Sequence, residues 1–344
     1  MNAKSFNISI RGASHIKKNK ECQDASESYD CDEYSIIVVC DGHGGDDYIR
    51  SAIGSKIATV VAKKNIEKFV QVVSSDDMEE NSKNLLKNLE ASIINDWNEE
   101  ITRHFRKNPF TKEEYNTISE KAKKKYLIKR NIESAYGTTL IAVVVTKKYW
   151  FGIHIGDGKC VAVNLEHKFL QPIPWDKKCF LNETTSLCDN YAINNFREFF
   201  SKKLPVAVFI GSDGVDDCFN SKEQLNNLYK TILYSFSTTK FEEAVETLKE
   251  YMPRLSAKGS GDDISIASII DFDYFKTQHL ELPKNRKKLP EKYEEKEELE
   301  LPSKEIKSFT KRIILNKISY GSGRKLIKRK IFIGKRIFIN NIKK

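Results

Sequence analysis

The sequence predicts an α+β protein in which packed β-sheets are flanked by helices. Three observations carry this expectation. β-Branched runs such as Ile36-Ile37-Val38-Val39-Cys40 stop abruptly at acidic, glycine-containing turns. Leu85, Leu89, Ile93, Trp97 and Ile101 recur every four residues, the period of an amphipathic helix. Three apolar runs between residues 139 and 164 are separated only by short turns.

The run 36–40 suits a buried strand, and it delivers Asp41 into a tight turn that the following glycines permit. Asp46 and Asp47 precede Ile49, Ile53, Ile57 and Val60-Val61 at helical spacing. They are expected to cap that helix, because negative charge is favoured at a helix N-terminus. The second amphipathic helix extends to about residue 104. Residues 107–130 are polar and lysine-rich and read as a surface connection with helical pieces. Strands over 139–146, 149–155 and 160–164 follow, joined by Lys147-Lys148 and Gly156-Asp157-Gly158. Such short turns predict an antiparallel meander. Residues 206–210 and 264–270 add two buried strands, and Phe241, Val245, Leu248 and Met252 place a helix over 241–255. After Asp273, spaced prolines and the charge-dense stretch 291–300 read as a linker. The expected organisation is a globular domain over 1–273, a charged, Pro-containing linker over 274–302, and a basic-apolar tail over 303–344.

With 344 residues, 40% of them hydrophobic, the chain can bury a sizeable core. It contains no apolar run of about 18 residues and begins without a secretion-signal core, so a cytoplasmic protein is expected. Seven scattered cysteines without a CxxC pair fit a reducing compartment and argue against a zinc site. The formal charge of +10 is a property of the tail, where 14 Lys and Arg face the single acid Glu305. The remainder is nearly neutral, which disfavours a nucleic-acid-binding core.

Asp41, Asp157, Asp213 and Asp262 each follow an apolar strand or lie in a glycine-containing turn, and Asp24 sits in a polar loop after Cys22-Gln23. One Asp-Gly pair is an ordinary turn. Repeated strand-to-acidic-turn junctions are another matter, because carboxylates are costly to gather without a cation. Without cysteines or several histidines beside them, they suit a hard ion such as Mg²⁺ or Mn²⁺. Two such ions about 3.5 to 4 Å apart share a bridging hydroxide and neutralise a bound phosphate. His43 is then placed to protonate the departing alkoxide.

In order and spacing these phrases resemble the metal-dependent protein phosphatase 2C family over roughly residues 8–271. Asp41-Gly42-His43-Gly44-Gly45 is the most specific phrase, joined by Tyr136-Gly137-Thr138-Thr139-Leu140, Gly156-Asp157-Gly158, Ser212-Asp213-Gly214 and Asp262-Asp263-Ile264-Ser265. The resemblance implies a four-layer α-β-β-α sandwich of two antiparallel sheets and metal-dependent hydrolysis of phosphoserine or phosphothreonine in proteins. By position, Asp41 resembles the carboxylate that bridges both ions, and Gly42 the donor of a carbonyl ligand. Asp213 and Asp262 resemble the remaining ligands of one ion, Asp24 the residue holding a metal-bound water, and His43 the general acid. Asp157 is similar to the residue that helps bind a third, weaker ion in bacterial members. Phosphoprotein substrates and a cognate Ser/Thr kinase are the implied partners. Two departures stand out. Gln23 occupies a position that is often acidic, and Asn19 stands where many members have a phosphate-gripping arginine. Lys18, Lys20 or His15 is expected to take over that grip, without the guanidinium fork.

In the tail, lysine and arginine interleave with isoleucine and phenylalanine from residue 311 onward, divided at Gly321-Ser322-Gly323. Such a segment suits an anionic membrane surface, placing the protein at the membrane periphery, or an acidic partner. A solvated extension and nucleic-acid binding are the alternatives. For the whole chain, the competing readings are a phosphatase-like binding or scaffolding module with little turnover and a small-molecule phosphohydrolase.

Overall fold

A computed structural model of the chain describes residues 3–128, 131–179, 183–278, 280, 328–333 and 336–341. Of the linker expected over 274–302, residues 279 and 281–302 lie outside the described residues, as does the division of the tail at Gly321-Ser322-Gly323. Contacts divide the chain into two compact units, Met1–Leu289 and Pro290–Lys344.

The larger unit begins with β1 (Ala3–Ile10), α1 (Ala13–Lys17), β2 (Ala25–Asp30) and β3 (Tyr34–Cys40). Two long helices follow, α2 (Ser51–Val72) and α3 (Ser75–Lys107), then the short α4 (Lys112–Thr117) and α5 (Glu120–Lys123). The rest comprises β4 (Leu140–Thr146), β5 (Trp150–Ile155), β6 (Lys159–Val163), β7 (Phe169–Leu170), β8 (Arg197–Ser201) and β9 (Ala207–Gly211). It closes with α6 (Asp213–Asp216), α7 (Lys222–Thr238), α8 (Phe241–Lys258), β10 (Ile264–Asp271) and α9 (Phe272–Thr277).

The strands form two five-stranded antiparallel sheets, ordered β1-β10-β9-β6-β7 and β2-β3-β4-β5-β8. Three apolar layers explain why they stack. Side chains alternate along β3, so Ile36 and Val38 join Ala58, Ile93 and Trp97 of α2 and α3, whereas Ile37 and Val39 face the second sheet. Between the sheets, Ile37, Val39 and Val143 meet Cys160, Val208 and Ile210. On the far side, Val161, Phe209 and Ile266 pack on Leu228, Ile232, Leu248 and Met252 of α7 and α8. Helix, sheet, sheet and helix therefore form four layers, and the central strands bury both faces. Among the described residues, no helix is long and apolar enough to cross a membrane.

Two local expectations are corrected. β4 and β5 pair, but β6 crosses to the other sheet beside β9, so the run is not a meander. Its alternate residues Cys160 and Ala162 are needed in the layer between the sheets. Asp46 and Asp47 do not cap α2, which starts later, after Arg50, with no acid in its first turn. Asp47 instead accepts from the backbone and hydroxyl of Ser119, the N-cap of α5, both at 2.8 Å.

In the smaller unit, β11 (Lys328–Ile333) and β12 (Arg336–Asn341) pair as an antiparallel ribbon, with Ile331 opposite Phe338.

Candidate metal centre

Strand register gathers the acidic turns. In one sheet Ala25 pairs with Cys40, and Leu140 pairs with Ile155, so Asp24, Asp41 and Asp157 leave the same end. In the other, Gly211 pairs with both Lys159 and Ile266, and Ile10 pairs with Ile264. That puts Asp213, Asp262 and Asp263 at one end too, and Gly156-Asp157-Gly158 connects the two ends.

The backbone around Asp41 is fixed by threonines. Its N–H donates to Thr139 Oγ1 at 3.0 Å, and its carbonyl accepts from Thr139 N at 2.8 Å and Thr138 Oγ1 at 2.9 Å. Gly42 permits a close approach: a Cβ there would lie 2.4 Å from the Gln23 carbonyl oxygen.

The carboxyl groups press on one another. The Asp41 and Asp213 carboxyl groups face each other closely enough that each shifts the other. Burial, then the charges of Asp24 and Asp213, hold the Asp41 carboxyl well above the usual range. Burial, then Asp157 and Asp262, push Asp213 up to about 7. Asp24 is only 4% exposed; burial and Asp263 raise it well above the usual range, against a smaller lowering by Ser212, and its Oδ2 has no hydrogen-bond partner among the described residues. Asp157 is raised too, chiefly by burial, and meets Thr184. Gln23 turns its amide to His43 O at 3.1 Å and Ser51 Oγ at 2.5 Å, leaving Oε1 buried without a hydrogen-bond partner among the described residues. Gathered, desolvated acids with orphaned oxygens are what a hard divalent cation relieves, so the donor set fits Mg²⁺ or Mn²⁺.

Asp262 and Asp263 differ. The Asp262 side chain is 56% exposed, whereas that of Asp263 is 3% exposed and accepts from Gly12 N and Gln23 N, both at 2.6 Å. His15 is buried against this pair, turned away from solvent. The three side chains expected to grip phosphate thus differ in setting. Lys18 is exposed at the end of α1, and Lys20 Nζ reaches Gly44 O at 3.2 Å and Asp46 at 3.3 Å, beside the Asp41 loop.

His43 packs edge-on against Tyr48, and its Nε2 lies 2.7 Å from Ser186 Oγ, which also reaches Thr138 O at 3.1 Å. Burial, with Lys125 nearby, pushes the His43 ring down to about 4. Ser186 was invisible to motif reading, since no glycine turn or period marks its segment.

A protein-family model described as protein phosphatase 2C matches residues 11–252. No curated protein matches the sequence. Among solved structures, a C. elegans sex determining protein aligns at 14% identity over 80% of this chain and 67% of that one, with a TM-score of 0.50. The serine/threonine phosphatase Stp1 from Staphylococcus aureus aligns at 15% identity over 78% and 95%, with a TM-score of 0.49. The catalytic domain of the serine threonine protein phosphatase PstP, in complex with 2 manganese ions, aligns at 14% over 78% and 99%, with a TM-score of 0.48.

Proposed function

Because the chain belongs to the protein phosphatase 2C family, we propose that its acidic cleft hydrolyses phosphoserine and phosphothreonine in proteins with a pair of Mg²⁺ or Mn²⁺ ions. The observation that carries this is the raised set Asp24, Asp41 and Asp213, with the Asp24 Oδ2 buried and without a hydrogen-bond partner among the described residues. Asp41, the Gly42 carbonyl, Asp213 and Asp262 hold the pair, and Asp157 serves a third, weaker ion. When bound, the ions supply positive charge to the phosphoryl oxygens and acidify water near neutral pH.

The protein's own groups do the rest. Asp24, buried just before β2, orients a water with its Oδ2, which has no partner among the described residues. An arriving phosphate dianion favours the protonated His43 ring, which gives its proton to the departing seryl oxygen. Lys20, beside Gly44, and Lys18 supply the phosphate grip as point charges. Signalling in the cytoplasm opposite a Ser/Thr kinase is the setting this activity fits, with the basic tail contacting an anionic membrane surface or acidic partner.

Purified protein with Mn²⁺ is expected to release phosphate from a phosphoserine peptide and to stop when EDTA is added. No chelator-sensitive release, with Asp41→Asn indistinguishable from the parent, would overturn the reading.

A further inference from the structure

His15 is tied down at one nitrogen, and its other nitrogen faces the Asp262 carboxylate. Nδ1 lies 3.2 Å from the Glu21 carbonyl oxygen and 3.0 Å from Asp263 Oδ2. Both are acceptors, so Nδ1 carries a proton. Asp263 is itself anchored by Gly12 N and Gln23 N, which fixes the ring it holds. In the neutral ring Nε2 then presents a lone pair, 3.5 Å from Asp262 Oδ1. Two acceptors facing each other at that distance are suited to sharing a cation. The ligand atoms of His15, Asp262 and Asp263 all lie within 4.8 Å of one another.

A histidine that donates its far N–H to a carboxylate while its near nitrogen binds metal is the usual arrangement around a metal ion. An independent observation points the same way. Asp24, 4% exposed, leaves Oδ2 without a hydrogen-bond partner among the described residues and feels the charges of Asp262, Asp263 and Asp213.

We propose that His15 Nε2 is a nitrogen ligand of the ion that Asp262 holds, with Asp263 as the carboxylate that orients the ring. This rests on the cleft being a metal centre and adds a ligand of a different chemical kind. Imidazole binds first-row transition ions better than Mg²⁺, so between Mg²⁺ and Mn²⁺ the nitrogen ligand favours Mn²⁺.

The test is pulsed electron paramagnetic resonance on the full chain loaded with Mn²⁺ alone. The parent is expected to show ¹⁴N coupling from a directly bound imidazole, converted to ¹⁵N lines by labelling with [¹⁵N]histidine. His15→Gln is expected to bind Mn²⁺ but lose the coupling, and calorimetry to show its Mn²⁺-over-Mg²⁺ preference reduced by about tenfold. The labelled parent keeps the test valid if the variant does not fold. Bound Mn²⁺ without nitrogen coupling in the parent, or coupling unchanged in a folded His15→Gln, overturns this proposal alone. Absence of any bound Mn²⁺ overturns the metal-centre reading and this proposal together.

Discussion

Asp41 meets two opposed demands, because the buried carboxyl that suits it to an ion also destabilises the ion-free fold. Asp24, Asp41, Asp157 and Asp213 all have folded-state pKa values raised above their ordinary ones. The native state therefore holds more protons than the unfolded chain, and stability falls as pH rises from the carboxylate range through the Asp213 value of about 7. In calorimetric scans without metal, the melting temperature is expected to drop across that window. The increment given by Mn²⁺ should grow in the same direction, as protons cease to compete. Asp41→Asn should raise the metal-free transition, erase the Mn²⁺ increment, and lower hydrolysis by at least about a hundredfold. Metal-free stability that climbs with pH would contradict this account. As candidates, Asp41 and Asp213 stood out because each follows an apolar strand, and Asp262 because it lies in a glycine-containing turn that leads into one. Ser186 and the separate duties of Asp262 and Asp263 were not, since contacts 143 residues apart for His43–Ser186 and 251 for Gly12–Asp263 arise only from the register of the sheets.

At the scale of elements, strong periods were legible and weak ones were not. The strands β3, β4 and β10 are almost wholly buried and announce themselves as β-branched runs. β1 and β2 mix serine and asparagine with apolar residues, because Asn7 and Ser9 bond to Ser26 where their sheets meet. That alternation depends on a distant partner rather than on local sequence. α3 reads well from Leu85 onward, yet it conceals Glu90, which is 0% exposed and paired with Lys87 at 3.0 Å. Burial pushes its carboxyl up to about 7, against the pull of Lys87. A raised folded pKa means that the contribution to stability is complete at low pH and lost as pH rises toward 7. Glu90→Gln is therefore expected to stabilise the protein above pH 7, by no more than about 3 kcal/mol, and to be neutral near pH 4. Urea titrations at both values test it; equal effects at both would assign the change to packing instead. α2 makes its own demand at Gly54, whose Cβ would lie 1.8 Å from Tyr136 O while its carbonyl takes Trp97 Nε1 at 3.0 Å. Gly54→Ala should lower stability by about 1 to 3 kcal/mol in the same titrations, through backbone that cannot yield.

For the molecule as a whole, packed sheets flanked by helices follow from counting apolar strands and helical periods, whereas the four layers came with the family resemblance, and the crossing of β6 between sheets came from neither, since Gly156-Asp157-Gly158 looks like a hairpin turn in sequence. The same scale separates chemistry from attachment. Every group invoked in hydrolysis lies within Met1–Leu289. The basicity lies beyond it, with 14 Lys and Arg against one acid in residues 303–344. Removing 303–344 takes the formal charge from +10 to about −3. Hydrolysis of a small aryl phosphate, which touches only the cleft, is expected to stay within about twofold of the parent, since every group invoked in it lies within Met1–Leu289. Sedimentation with anionic vesicles is expected to be lost on deletion and, for the full chain, to weaken steeply as salt screens the attraction. If the shortened protein sediments as well as the full chain, the tail is not the anchor; if its aryl phosphatase activity collapses, chemistry and attachment are not separable and the tail contributes to the fold of the cleft.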